Sequence, residues 1–421
     1  MLWAGPQLWP RARGAAVTHT HGVNAAEERP AYFATTNFHS RQRPFGIRQT
    51  DRLSHCYAIG KTGVGKSTLL ETMALQDLVA GRGFALVDPH GDLAETLAAR
   101  AASHAGERLI YLDATNPTQP FGYNPLRRVR ESKISLAVSG LLEALRKLWP
   151  EAWGVRMEHV LRSSLYVLLE RDGSALPDIL RLFADKAFRR AVTSQARNPV
   201  IRAFWTEEFE HYPARFQAEA VAPIQNKLGA LLSDPMLYRA LVTPSVDLHF
   251  RQLMDEGKIL IVNLSKGRIG EDSALVLGGL IVATLGLAAF SRAEVLAGAR
   301  RPYFVYLDEF QSFTTLALVN MMSELRKYGV GLTLVHQHLH QLDDNIRHAV
   351  LGNVGTIMSF RVGPEDAKVM AAEFQPRFEV LDLINLPNHR LYLKLMIDGT
   401  PSAPFSATTM RPDTAAAMAS V

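Results

Sequence analysis

Cysteine is almost missing: Cys56 is the only one in 421 residues. No internal disulfide can form, and no cysteine-based metal site can be built. The fourteen histidines are spread along the chain, so they suggest no metal cluster either. The start, MLWAGPQLWPRARGAA, lacks the basic opening and long apolar run of a secretory signal, and a cytosolic protein is expected. Neither charge sign is in strong excess. Lys and Arg number 46 against 41 Asp and Glu, a net +5. That leans only weakly toward polyanionic partners. Part of the excess sits early, where Arg11, Arg13, Arg29, Arg41, Arg43 and Arg48 face only Glu27 and Glu28.

Long hydrophobic runs are also scarce. ALVLGGLIVATLGLAAF, Ala274 to Phe290, is seventeen uncharged residues long. Membrane spans need roughly 17–25 apolar residues, so it falls at the short edge. It also lies between two strand-like runs, KILIVNLS (258–265) and YFVYLDE (303–309). A helix buried against a sheet, apolar on all sides, fits that place better. No transmembrane segment is predicted.

What is present is an ordinary globular mixture, 47% apolar and 21% charged, in a chain long enough for a large core. Residues 1–45 mix Gly, Pro, Thr, His and Arg without periodicity and read as a flexible arm. Short β-branched runs then alternate with helical stretches. The runs are HCYAIG, GFALVD (83–88), RLIYLD (108–113), KILIVNLS, YFVYLDE, GLTLVHQ (331–337), GTIMSFRV (355–362) and LYLKLMID (391–398). This pattern predicts an α/β fold with a mainly parallel sheet and helices on both faces. Residues 131–247 differ, with apolar residues at helical spacing and no convincing strand. FGYNPLRR and TPSVD mark the edges. An inserted all-α domain is expected there, dividing the α/β domain into 46–130 and 248–405. Residues 406–421 read as a tail.

AIGKTGVGKSTLL, residues 58 to 70, carries the first chemistry. Gly60, Gly63 and Gly65 let the backbone wrap a phosphate, and Lys61, Thr62, Val64 and Thr68 complete the loop. The following helix adds its positive end. Lys66 would reach the β- and γ-phosphates of ATP, and Ser67 would hold Mg²⁺. In YFVYLDEFQ, Asp308 and Glu309 emerge at a strand's C-terminal end, where such sheets bind ligands. Asp308 suits Mg²⁺; Glu309 suits orienting and deprotonating an attacking water. Gln337, 28 positions after Glu309, ends another strand and could sense the γ-phosphate. A strand interposed between the loop strand and the Asp-Glu strand is the plan of a motor-type ATPase, not of a nucleotide kinase. Arg326 is the preferred arginine finger, supplied to a neighbouring subunit, and Arg361 an alternative.

Together AIGKTGVGKSTLL, ALVDPHGDL (85–93), KILIVNLSKGRIGED (258–272), VYLDEFQSF and LRKYGVGLTLVHQ resemble the TraG/TraD-like type IV coupling proteins. These belong to the FtsK–HerA class of hexameric DNA-pumping ATPases. The resemblance covers about residues 45 to 400. It implies a RecA-like P-loop NTPase domain with an all-α domain. It also implies ATP and Mg²⁺ as cofactors, a hexameric ring of identical subunits, and DNA moved in conjugation or secretion. Relaxase or secretion-channel proteins are the implied further partners. Matching motif positions gives Lys66 and Ser67 the phosphate and metal roles, and Asp308 and Glu309 the Walker B roles. Gln337 becomes the sensor and Arg326 the finger. Asp88, in LVDPHGD, ends a strand near the site, and a structural turn is an equal reading. One departure stands: coupling proteins usually carry an N-terminal membrane anchor, and the first fifty residues show none. A cytoplasmic protein docked peripherally at the inner membrane through a partner is one expectation from this. Two other readings remain open, a HerA-like motor working with a nuclease and an ATP-dependent cargo-recruitment adaptor. Arg41, Arg43 and Arg48 are candidates for sequence-tolerant contact with the DNA backbone.

Overall fold

The computed structural model describes residues 29–37, 42–314 and 316–420. Fifteen strands run in chain order as β1 (Ala31–Thr36), β2 (Pro44–Ile47), β3 (Cys56–Ile59), β4 (Gly83–Asp88), β5 (Leu109–Asp113), β6 (Phe121–Gly122), β7 (Val246–Asp247), β8 (Ile259–Asn263), β9 (Tyr303–Leu307), β10 (Val330–His336), β11 (Thr356–Ser359), β12 (Arg390–Lys394), β13 (Met396–Ile397), β14 (Thr400–Pro401) and β15 (Phe405–Thr409). Eleven of them form one sheet in the order β2-β1-β15-β12-β11-β3-β10-β9-β4-β8-β5. From β11 to β5 every pairing is parallel, and the extension from β11 out to β2 is antiparallel.

Both faces of the parallel part are buried, as its apolar runs require. Side chains alternate between the two. Tyr57, Ile59, Val305, Leu307, Leu332 and Leu334 join one hydrophobic cluster, while Cys56, Ala58, Phe304, Tyr306 and Val335 join the other. Helices Lys66–Val79 and Asp92–Ala102 cover the second face. Helix Glu271–Ser291 lies on the first. It is the one described helix long and apolar enough to cross a membrane, yet 67% of its apolar window is buried. Leu277, Leu280 and Ile281 on it share a cluster with Val138, Leu141 and Leu145 of helix Glu131–Leu148. It is therefore held between the sheet and other helices.

β6 and β7 pair in parallel at the neck of the long helical segment, at the two turn-rich edges read from the sequence. Between them the described elements from Glu131 to Leu241 are helical. Their apolar residues run without a break into the cluster beneath helix Glu271–Ser291.

Two expectations change. Of the arm expected over residues 1–45, residues 1–28 and 38–41 lie outside the described residues; the rest holds β1 and the start of β2, where Phe33 and Phe45 meet edge-on, 5.4 Å apart, and Phe45 meets Phe405 at 5.3 Å. β1 pairs with β15 and β2 with β1, so this segment closes one end of the sheet. The tail expected over 406–421 is, through residue 420, part of the fold. It finishes β15 and then forms helix Pro412–Ser420, whose buried Ala415 and Ala419 allow close packing on helix Lys66–Val79.

Candidate functional site

The C-terminal ends of the parallel strands share one edge, and there the predicted site residues other than Arg326 gather. β3 passes into the loop 60–65, and β10, the strand between β3 and β9, ends at His336, just before Gln337. β9 delivers Asp308 and Glu309. The strand interposed between the loop strand and the acidic strand is thus present.

The loop is strapped to its neighbours by main-chain bonds. Gly60 N–H donates to His336 O (3.3 Å), Lys61 N–H to Arg361 O (2.9 Å), and His389 N–H to Val64 O (2.8 Å). Close approach explains two glycines. A Cβ on Gly60 would stand 2.6 Å from Phe360 Cβ, and one on Gly65 2.8 Å from His389 Nδ1. Gly65 is also left-handed, at φ 113°. Lys66 opens the helix Lys66–Val79 and is buried. Its ammonium donates to Gly60 O (2.6 Å) and Lys61 O (2.9 Å). Burial lowers its pKa, while the charges of Glu309 and Asp308 oppose that fall. Both acids therefore lie within electrostatic reach of Lys66.

Asp308 is buried, and its N–H donates to Val87 O (3.2 Å). Burial first, then the neighbouring Asp88 and Glu309 carboxylates, push its pKa up to about 7 against the pull of Lys66. Glu309 sits at φ 45°, a left-handed conformation that costs a non-glycine residue about 1–2 kcal/mol. Such strain collects at functional sites. The turn frees both carboxylate oxygens for amide donors. Gln337 Nε2 donates to Oε1 and Gln311 Nε2 to Oε2, each at 2.6 Å. Gln337 Oε1 in turn accepts from Thr62 Oγ1 at 2.9 Å. Gln337 thus bridges the phosphate loop and Glu309.

Beneath the site His336 is fully enclosed, with Phe310 and Tyr57 around it. Burial, with the charge of Lys66 added, pushes its imidazole down to about 3, so it is neutral. Asp88 caps a turn: its carboxylate accepts from His90 N–H (2.8 Å) and Ala94 N–H (2.9 Å), at the start of helix Asp92–Ala102. That is the structural reading of LVDPHGD, though Asp88 also adds charge beside Asp308.

Arg326 and Arg361 fall in different places. Arg361 follows β11 on the loop's edge, and its guanidinium donates to Leu386 O (3.2 Å) and Asn388 Oδ1 (2.8 Å). Arg326 does not join the site. It is exposed at the entry to β10, near His55 at the entry to β3. Burial, reinforced by the charge of Arg326, pushes His55 down to about 4. Arg326 therefore lies at the opposite edge of the sheet from its own chain's phosphate loop. Of the early arginines, Arg48 pairs with Asp398, Arg43 lies just before β2, and Arg41 lies outside the described residues.

The donor set fits Mg²⁺ and a polyphosphate. Two carboxylates crowd one buried spot strongly enough to raise one pKa, an ammonium faces them, and the hydroxyl-bearing Ser67 is exposed at the helix start. Sequence reasoning missed Gln311, although an amide two residues beyond paired acids was a readable signal. It also missed Lys147, which no local pattern marks. This residue reaches the site from about 160 positions away.

Residues 302–374 match the family model described as the TraM recognition site of TraD and TraG. That segment holds Asp308, Glu309, Arg326, Gln337 and Arg361. No curated protein matches the chain. Solved structures do. Plasmid coupling protein TrwB in complex with ADP and Mg²⁺ matches at TM-score 0.61 and 16% identity, over 87% of each chain. The same protein with the non-hydrolysable GTP analogue GDPNP matches at TM-score 0.57 and 18% identity, over 85% of this chain and 86% of that one. VirB4 of Thermoanaerobacter pseudethanolicus matches at TM-score 0.63 and 13% identity, over 93% of this chain and 97% of its own. These likenesses establish a RecA-like P-loop NTPase fold. The chain is thus similar to TraD and TraG in sequence across residues 302–374, and similar in fold to TrwB and VirB4 along most of its length.

Proposed function

We propose that the protein is an ATP-driven DNA translocase of the coupling-protein kind. The observation that carries this is the meeting of Lys66, Asp308, Glu309 and Gln337 at one edge of three adjacent strands, in motor-ATPase order. ATP binding would turn Lys66 from the Gly60 and Lys61 carbonyls onto the β- and γ-phosphates. Ser67 and Asp308 would hold Mg²⁺, which neutralises charge developing on the phosphates. Glu309 would take the proton of the attacking water. Gln337, bonded to both Thr62 and Glu309, would transmit loss of the γ-phosphate. Arg326 cannot serve its own pocket and would complete the site of an adjoining copy, which calls for a ring, a hexamer by resemblance. The same arrangement leaves Arg361 a supporting role beside the loop.

The cargo would be DNA, gripped through its phosphates in a salt-dependent, sequence-tolerant way. TrwB is described as a plasmid coupling protein, and the matched family segment as a TraM recognition site. Both support conjugative transfer, with a relaxosome or secretion-channel protein as partner. The working place would be the cytoplasm, at the inner membrane through that partner.

The test is DNA-stimulated ATP turnover. Glu309→Gln should lower kcat by about 10²–10⁴-fold while nucleotide binding persists. Lys66→Ala and Arg326→Ala should each be inactive, and an equimolar mixture should recover part of the activity. Mixed rings contain interfaces with both residues intact. A mixture as inactive as its parts would remove the shared site. DNA transport that survives Glu309→Gln would mark an adaptor instead.

A further inference from the structure

One side chain of the inserted helices hydrogen-bonds to the catalytic loop. Lys147 stands in the last turn of helix Glu131–Leu148 and is exposed. Its ammonium donates to Gln311 O and to Thr314 O, the latter at 2.6 Å. Gln311 and Thr314 belong to the loop that follows Glu309. Although the residue as a whole is exposed, burial of its ammonium lowers the Lys147 pKa to about 8, with the charge of Asp343 opposing. Bonds from an ammonium to main-chain carbonyls are charge-assisted, stronger than neutral ones.

Beyond Lys147 the bonds continue without a gap. Gln311 Nε2 donates to Glu309 Oε2, Gln337 Nε2 to Glu309 Oε1, and Thr62 Oγ1 to Gln337 Oε1. A line of hydrogen bonds therefore runs from the inserted helices, through the candidate base, to the phosphate loop. Two buried phenylalanines also seat the loop. Phe310 packs on His336 with ring centroids 4.9 Å apart, and Phe313 lies against Gly278, where a Cβ would come within 2.3 Å of its ring. Helix Glu131–Leu148 also packs on Leu316–Leu325, the helix that leaves the loop. A shift of the inserted helix would thus be delivered to Gln311 directly.

We propose that Lys147 is a positioning residue for hydrolysis: by holding the loop at Gln311 and Thr314 it sets the Glu309 carboxylate, and so makes turnover responsive to the inserted helices. This rests on the hydrolytic reading given above. It assigns the helical segment a control role in the reaction.

The experiment uses the full chain and four variants: Lys147→Met, Lys147→Arg, Gln311→Leu, and Lys147→Met with Gln311→Leu. Steady-state ATP turnover gives kcat and KM, and a fluorescent ATP analogue gives affinity. Misplacing a catalytic group slightly costs up to about a hundredfold in rate, so Lys147→Met should lower kcat about 10–100-fold with analogue affinity unchanged. Lys147→Arg keeps a donor and should recover most of the rate. The double variant should be no slower than the slower single variant to within about twofold, because the two residues act in series. Wild-type kcat in folded Lys147→Met would overturn the proposal. So would losses that multiply in the double variant, or a loss carried by affinity. If Lys147→Met does not fold, the proposal is decided by Gln311→Leu together with Lys147→Arg. Normal kcat in the former, or an unrescued fall in the latter, overturns it. A wild-type chain that neither binds nor hydrolyses ATP would instead refute the hydrolytic reading itself.

Discussion

Asp308 shows how burial and neighbouring charge set the proton affinity of one carboxyl. Burial and two acidic neighbours raise its pKa to about 7 in the folded chain, whereas an unfolded aspartate titrates near about 4. The folded state then binds the proton more tightly than the unfolded state does. That contribution is complete below about pH 4 and fades as pH rises toward about 7. Above that, an ionised carboxylate sits in the pocket as a standing cost. Asp308→Asn should therefore raise the nucleotide-free protein's resistance to urea at pH 8 by about 1–3 kcal/mol, and by much less at pH 5. Equal gains at both pH values would mean that ionisation of the buried Asp308 carboxyl is not the cause. Activity should be lost in the same variant, since the group that destabilises the empty pocket is the one suited to the metal.

Among the elements, helix Lys66–Val79 must be held firmly if the loop at its start is to grip a phosphate. A buried network holds its far end. Asp77 receives Arg52 through two bonds of 2.8 Å, Arg82 at 3.0 Å, and the Tyr306 hydroxyl, while Arg52 also lies 3.6 Å from the centre of the Phe304 ring. The arginines hold the Asp77 carboxyl below the usual range despite its burial, which by itself would raise it. Asp77→Ala would leave two buried guanidinium groups without their shared anion. A cost of about 3–5 kcal/mol is expected by denaturant unfolding. A loss under about 1 kcal/mol would show that water replaces the carboxylate easily. None of this network was legible beforehand, because Arg52, Asp77 and Tyr306 are brought together only by the fold. The parallel strands were legible, since GFALVD or KILIVNLS buried on both faces has no other reading. β1, β2 and β15 were not. Segments such as AYFATT and FSATT are short and rich in threonine, and they find their partners some 370 residues away. The site divides in the same way. The loop, the acidic pair and Gln337 each stand at the end of a readable strand, whereas Gln311 and Lys147 matter through tertiary contact alone.

For the whole molecule, the question is whether the long helical segment behaves as a separate body. Its apolar side chains say otherwise. Val160, Leu165 and Trp205 belong to the same hydrophobic cluster as Leu280 of the buried helix and Leu307 of the acidic strand. Among the described residues they form one continuous cluster, and Lys147 adds a polar tie at the catalytic loop. Opening the segment would expose helix Glu271–Ser291, whose mean hydropathy reaches 2.2, to water. Exposure of that much apolar surface is costly at about 25 cal/mol per Å², so the segment and the sheet should unfold together. Ligand linkage tests this directly. Adding Mg·ATP at a hundred times its Kd should stabilise the folded state by about 2.7 kcal/mol. Glu309→Gln is the variant to use, because its nucleotide should persist. If the cluster is one cooperative unit, amide exchange in residues 131–241 should slow along with that of β3 and β9, and calorimetry should show one transition moving upward. Were the helical segment to exchange at its old rate, or melt in a second peak indifferent to nucleotide, the cluster would not couple it to the pocket. Its covalent insertion would then be its main link to the reaction.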